Sequence, residues 1–365
     1  MFKINIICVK SCKTVNTIGI LLYRSYTSDF AFVPKCEPVE DRDLLMLKGF
    51  INSHSNMCIL TGAGVSTESG IPDYRSEGVG LYARSNRRPV LYKDFCNSAE
   101  IRRRYWARNY IGWPRFSSVK ANSVHEILKK LEDHNKIRCI VTQNVDNLHT
   151  KAGSKKVIEL HGTAFKVMCL NCNERICRYQ LQEILDRMNP NMTGTSEMIR
   201  PDGDVDISQE QVERFKIPPC ENCGGVLKPD MIFFGDNVPR QIVESVRYNV
   251  EHSDSLLILG TTLTTFSGYR IALQASHAKK PIAIVNIGKT RADDLAEIKV
   301  EAYYLHHLRL CGIEKMKQGN RNYDRDLYLL LSKLLLLLHH MANVKDLCQE
   351  IQKILEMVEH SQRFM

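Results

Sequence analysis

The chain has 365 residues, 44% hydrophobic and 25% charged, with a formal net charge of +9. That is ordinary globular composition, long enough for one large domain and a smaller one. No apolar run reaches the roughly 18 residues of a membrane span, and thirteen cysteines, an odd number, suit a reducing compartment with a metal site better than a disulfide framework.

Residues 1–28 carry Lys3, Lys10, Lys13 and Arg24 with no acidic residue, and they are rich in Ser and Thr. This is the composition of a mitochondrial transit peptide, and Arg24-Ser25-Tyr26 resembles a matrix-protease cleavage site. Its removal takes four positive charges, so the net charge falls from +9 to +5 and a strong nucleic-acid field is not implied. Residues 34–38 read as a linker. Leu44, Leu47 and Phe50 share one face of a helix over 43–53. Met57 to Thr61 is a short apolar strand running into Gly62-Ala63-Gly64. Further buried strands are expected at 137–142, 255–260 and 281–287, with helices at 121–133 and 241–251 between them. Alternating strands and helices predict an α/β fold, a doubly wound parallel sheet with helices on both faces and ligands outside the carboxyl ends of its strands.

The alternation is interrupted by Cys169-x-x-Cys172 and Cys220-x-x-Cys223. Two such pairs supply the four thiolates of a closed, structural Zn²⁺ site. The gap between the pairs exceeds ordinary ribbon spacing, so the intervening loop carries an insertion. Residues 189–208 are polar, hold Pro190, Pro201 and Gly203, and read as a mobile loop.

Gly62-Ala63-Gly64-Val65-Ser66 follows a strand and precedes an expected helix start. Glycines there let backbone approach a pyrophosphate, although Thr67 replaces the third glycine of the usual fingerprint; a plain tight turn is the rival reading. In Gly70-Ile71-Pro72-Asp73-Tyr74-Arg75, an acid, an aromatic ring and a guanidinium stand ready for ribose, ring and phosphate. Gln143-Asn144-Val145-Asp146 ends a buried strand and offers amides and a carboxylate to a carboxamide or ribose, or else caps a helix. His161-Gly162 puts an imidazole at a strand end, as a general base or as a structural residue bonded to the cysteine module. Phe233-Phe234-Gly235-Asp236 is an apolar edge suited to strand pairing with a peptide, or to core packing.

Together with Gly260-Thr261-Thr262-Leu263 and Asn286-Ile287-Gly288, these segments stand in the order found in the sirtuin family, which the chain closely resembles from about residue 34 to 300. Val79-Gly80-Leu81-Tyr82-Ala83-Arg84, Arg104-Tyr105-Trp106-Ala107-Arg108-Asn109, Gly112-Trp113-Pro114 and Asp293-Asp294-Leu295-Ala296 resemble a mitochondrial branch of it. The resemblance implies a Rossmann-type domain over residues 35–300 with a small inserted zinc-binding domain over about 165–228. It implies an NAD-dependent deacylase of the mitochondrial matrix that moves an acyl group from protein lysine to ADP-ribose. His161 would be the base. Gly62 to Arg75 would contact NAD, with Gln143, Asn144, Val145 and Asp146 near nicotinamide and ribose, and Gly260 to Thr262 and Asn286 to Gly288 on the adenosine side. Mono-ADP-ribosyl transfer uses the same motifs. A zinc-ribbon module binding nucleic acid through Arg84, Arg87, Arg88 and Arg102 to Arg104 is the reading from another class. Residues 301–365 depart from the family pattern. Tyr303-Tyr304 stands near the expected adenine turn, and an apolar stripe through Val344, Leu347, Ile351, Ile354, Leu355 and Val358 reads as a helix for a partner.

Overall fold

The computed structural model describes residues 31–36, 39–86, 88–192, 194 and 200–302. The leader at 1–28, Tyr303-Tyr304 and the apolar stripe beyond them lie outside these residues.

The chain opens with helix α1 (Asp41–Ser53) and strand β1 (Met57–Thr61), followed by a 3-10 turn (Ala63–Ser69) rather than an α-helix. Then come α2 (Leu81–Arg84), α3 (Tyr92–Asn97), α4 (Ala99–Ser118), α5 (Ser123–Asp133), β2 (Ile137–Thr142), α6 (Leu148–Lys151) and β3 (Val157–Glu159). A second sheet is built from β4 (Gly162–Cys169), β5 (Arg175–Cys177) and β6 (Leu227–Met231), with helices α7 (Arg178–Met188) and α8 (Gln209–Arg214) between β5 and β6. The chain returns through α9 (Arg240–Glu251), β7 (Leu256–Leu259), α10 (Phe266–His277), β8 (Ile282–Val285) and β9 (Ile298–Val300).

The large sheet has the order β3-β2-β1-β7-β8-β9 and every pairing in it is parallel. Successive strand residues point to opposite faces. Ile59, Ile140 and Leu257 therefore pack with Leu47 and Phe50 of α1 and with Val124, Ile127, Leu128 and Leu131 of α5. Leu60, Val141 and Ile258 face the other way, onto Val246 and Val250 of α9 and Ile271, Ala272 and Ala275 of α10. Helices cover both faces, so the central strands are apolar throughout, as parallel sheets require. Chain order reverses between β1 and β7, the place where such sheets leave a crevice.

The antiparallel sheet β5-β4-β6 sits on an aromatic core that includes Phe95, Tyr105, Trp106, Trp113, Phe116, Phe165 and Phe233. The Trp106 indole donates to the Leu227 carbonyl at 3.1 Å, tying α4 to β6.

One expectation fails here. The stretch read as a mobile loop is, over residues 200–208, pinned to α4. Arg200 and Asp204 are buried. Arg108 reaches Asp204 at 3.1 Å and Asp206 at 2.7 Å, and Arg200 reaches the same two carboxylates at 3.2 and 3.0 Å. Polar composition suggested solvent exposure, but the charges here pair with one another across the loop and the helix.

Candidate active-site cleft and cysteine cluster

A cleft of about 1440 Å³ opens at the carboxyl ends of β1, β2, β7 and β8, larger than a drug-sized site of roughly 300–1,000 Å³. It brings together nearly the whole predicted set: Gly62, Ala63, Gly64, Ser66, Ile71, Asp73, Tyr74, Arg75, Gln143 to Asp146, His161, Gly260 to Thr262 and Asn286 to Gly288. Gly70 and Pro72 are not on its wall. Gly70 closes the 3-10 turn with φ +87° and Pro72 is buried behind it.

The two glycine-bearing turns touch. The Gly64 amide donates to the Gly260 carbonyl at 2.9 Å. A Cβ on Gly64 would stand 2.9 Å from Gly260 Cα, and one on Gly62 would stand 2.6 Å from the Thr261 Cβ. These positions need glycine because two strand ends abut.

Asp73 has local partners. Its carboxylate accepts from the Arg75 and Ser76 amides at 2.9 and 2.7 Å and from the Ser76 hydroxyl. The acid expected at a ribose lines the cleft and also folds its own loop. Tyr74 packs on Tyr82 and Phe234, and Arg75 lies over the Tyr82 ring at 5.4 Å.

The β2 turn is tied into a network. Gln143 Nε2 donates to Thr261 Oγ1 at 3.0 Å, and Gln143 Oε1 accepts from Thr265 at 3.1 Å. Asn144 Nδ2 donates to the Gly62 carbonyl at 2.9 Å and to Ser66 Oγ at 3.1 Å. Ser66 in turn donates to Asp146 at 2.6 Å, whose other oxygen accepts the Leu148 amide at 3.0 Å. Burial raises the Asp146 pKa, opposed by the bond from Ser66. Asp146 therefore caps the turn into α6 and lines the cleft at once.

His161 sits at the junction of β3 and β4. Its Nδ1 meets the Gln143 carbonyl at 3.0 Å and its Nε2 meets Ser267 Oγ at 2.8 Å. Neither partner belongs to the cysteine module, which removes the structural alternative as it was framed. Burial lowers the His161 pKa, and the Gln143 carbonyl works against it. Asn286 Nδ2 braces its own turn through the Ile287 and Gly288 carbonyls at 2.8 and 3.1 Å. Phe233 belongs to the aromatic core, while the Phe234 carbonyl already accepts the Tyr92 amide at 2.9 Å, leaving less of that edge for a peptide.

Sequence reasoning missed Ser267, Thr265, Tyr105 and Asp202, all of which line the cleft. The hydroxyl-rich run from Thr261 to Ser267 after a strand-end glycine was a legible signal for the first two.

The sulfurs of Cys169, Cys172, Cys220 and Cys223 all lie within 4.8 Å of one another. The Cys169–Cys223 and Cys172–Cys220 separations are 3.5 and 3.7 Å. A tetrahedron with Zn–S bonds of about 2.3 Å has edges of roughly 3.8 Å, so the donor set fits zinc. The Asn171 amide approaches Cys169 Sγ at 3.4 Å and Asn222 Nδ2 approaches Cys172 Sγ at 3.7 Å, contacts that favour thiolates. With four sulfurs there is no open position for chemistry.

Three of the arginines invoked for nucleic acid have protein partners. Arg84 lies over Phe32, Arg88 lies over Tyr82, and Arg102 donates to the Phe95 and Cys96 carbonyls at the end of α3.

A parallel sheet whose crevice is floored by abutting glycine turns, with an imidazole held on two sides, defines a nucleotide-binding α/β enzyme. The chain belongs to the Sir2 family, the sirtuins, whose family profile matches residues 62–267, more than half its length. It is 53% identical over 279 residues to the NAD-dependent protein deacylase Sirt4 of Drosophila melanogaster, covering 76% of this chain and 89% of that one. It is 51% identical over 271 residues to the NAD-dependent protein lipoamidase sirtuin-4, mitochondrial, of Homo sapiens, covering 74% and 86%. Among solved structures, a Sir2 protein with a deacetylated p53 peptide and 3'-O-acetyl ADP-ribose is 26% identical with a TM-score of 0.58, covering 76% of this chain and all of that chain. A sirtuin from a study of substrate affinity is 28% identical with a TM-score of 0.57, covering 77% and 100%.

Proposed function

We propose that this chain is an NAD-dependent protein-lysine deacylase of the mitochondrial matrix, in which His161 is the general base and the cleft holds NAD beside an acyl-lysine. The carrying observation is the environment of His161. A carbonyl only accepts, so the bond to Gln143 places the proton on Nδ1. The Nε2 lone pair then faces the cleft and accepts from Ser267. Burial keeps the ring neutral near pH 7, the state a base needs.

NAD, when bound, supplies a ribose carbon activated by its cationic nicotinamide leaving group. His161 Nε2, which now accepts from Ser267, would take a proton from a ribose hydroxyl of bound NAD, so that this oxygen could act as the nucleophile toward the acyl group. Gln143, Asn144 and Asp146, fixed by their own network, orient the nicotinamide and ribose end. Gly260 to Thr262 and Asn286 to Gly288 receive the adenosine end. Ile71 and Phe233, both buried, keep water from the reacting atoms.

The substrates we infer are acylated proteins of the mitochondrion. The mitochondrial names of sirtuin-4 relatives and the acid-free leader support this placement. Lipoyl or other long or branched acyl groups are the expected cargo, in line with relatives named lipoamidases. The experiment is mass spectrometry of the zinc-loaded protein with NAD and lipoyl-, acetyl- and branched-acyl-lysine peptides. Deacylated peptide, nicotinamide and O-acyl-ADP-ribose in equal amounts are expected. ADP-ribose attached to protein without deacylation would instead identify mono-ADP-ribosyl transfer.

A further inference from the structure

The imidazole of His161 is tied to Gln143 and Ser267, but its backbone is tied elsewhere. The Met231–Ile232 peptide group donates its N–H to the His161 carbonyl at 2.8 Å. The carbonyl of that same peptide group accepts from Lys228 Nζ. Lys228 does not border the cleft, yet one peptide plane connects its ammonium to the backbone of His161.

Lys228 is 3% exposed. Burying an ammonium is costly unless it is paired and hydrogen-bonded. Its nearest counter-charges are engaged elsewhere. Asp230 meets Arg175 at 2.9 Å, and Asp236 accepts the Asn237 amide at 2.8 Å. Both act on Lys228 through space alone, while burial, the larger influence, lowers its pKa. Backbone and a ring hold the ammonium instead: the Pro229 carbonyl at 2.9 Å, the Met231 carbonyl, and the face of Phe233 at 4.7 Å.

The placement has a reason in the sheet. Strand β6 is an edge strand, so one side of its backbone lacks a strand partner. The Leu227 carbonyl takes the Trp106 indole, and the Pro229 and Met231 carbonyls take Lys228. The β4–β6 register also shifts between Gly162 and Val167, so the ladder is irregular just after His161. An apolar residue could pack on Phe233, but only a donor can hold these carbonyls. A charged donor makes the stronger bond and polarises the peptide group, which strengthens its N–H toward His161.

We propose that Lys228 is a positioning residue for the deacylation step, holding His161 in place through the Met231–Ile232 peptide group. This rests on the reading of His161 as the base of a deacylase.

The test is a double-mutant cycle on the full zinc-loaded chain: wild type, Lys228→Met, His161→Tyr and the two combined. Each is assayed at saturating NAD with whichever of the lipoyl-, acetyl- and branched-acyl-lysine peptides the wild type deacylates fastest. Lys228→Met keeps the length of the side chain and removes its donors. In the wild-type background kcat is expected to fall about tenfold, the scale of one charge-assisted hydrogen bond. NAD affinity by calorimetry stays within about twofold, and so does the residual deacylation when Lys228→Met is added to His161→Tyr, because the residue acts through the base. An unchanged kcat in Lys228→Met, or equal fold losses in both backgrounds, overturns the inference and leaves the deacylase intact. If Lys228→Met does not retain zinc and NAD binding, the cycle is run with Lys228→Gln, which keeps a neutral amide donor, and the same two outcomes decide. A folded wild type that deacylates none of the peptides overturns the deacylase reading and this inference with it.

Discussion

Gly162→Ala adds one methyl group next to His161, and the structure says what it meets. Gly162 has φ +74°, where a side chain costs about 1–2 kcal/mol. Its Cβ would lie 2.1 Å from the Asp230 carbonyl oxygen, a backbone atom with no rotamer to change. Relief requires β6 to move off β4. That strains the Gly162–Met231 pairing and the 2.8 Å bond from the Ile232 amide to the His161 carbonyl, at about 1 kcal/mol for each bond lost. The sum is about 3–4 kcal/mol of destabilisation. Gly70→Ala is the matched control: φ is +87° but nothing lies within 4 Å of the new Cβ, so only the conformational cost of about 1–2 kcal/mol remains. Urea unfolding followed by circular dichroism on both zinc-loaded variants measures the difference. Two variants equally stable to within about 0.5 kcal/mol would refute the claim that carbonyl contact, rather than backbone angle, makes position 162 glycine.

The other predictions concern the imidazoles and the metal. His161→Tyr should fold and keep zinc while nicotinamide release with acyl peptide falls by about 10²–10⁴-fold; full turnover removes His161 from the chemistry. The His161 pKa is lowered, so kcat should stay flat from neutral pH down to below about 6.5 and then fall as the ring protonates. A loss of activity beginning above pH 7 contradicts that sign. His125 and His149 stack at 4.8 Å; burial lowers both, His149 to about 4. Their folded forms resist protons that the unfolded chain accepts, so stability present above about pH 6.5 is lost as pH falls toward 4. Thermal melts across that window should show the loss, and His149→Gln should reduce it. Chelation or Cys220→Ser should release about one zinc per chain and change tryptophan emission, because the Trp106 indole is bonded to β6; unchanged emission on metal loss contradicts the structural role.

Central strands were legible in the sequence because both faces of a parallel sheet are buried. Met57–Thr61 and Ile137–Thr142 are expected and observed with the same limits. The helix before β2 begins at Ser123 because Asn122 caps it, and the helix over 241–251 gains only Arg240. Family membership was legible because glycine turns, His161 and the cysteine pairs stand in a fixed order, and the family match bears it out. The antiparallel sheet was not read, since β5 is only three residues long. Helix α4 was hidden by Pro114 and by burial on several sides, which erases an amphipathic period. Arg200, within the polar stretch over 189–208, shows why that stretch was misread: a charged side chain looks solvent-exposed until its local partners are known. Ser267 and Asp202 are far from His161 in sequence and meet the cleft only through the tertiary fold.

Calorimetric titration of NAD into the purified, zinc-loaded protein, with and without an acyl-lysine peptide, tests the account most directly. One binding site per chain is predicted, retained in His161→Tyr and weakened in Asn144→Ala, which cuts the bonds to Gly62 and Ser66. Absence of binding heat under both conditions, with the zinc in place and the chain folded, would contradict it.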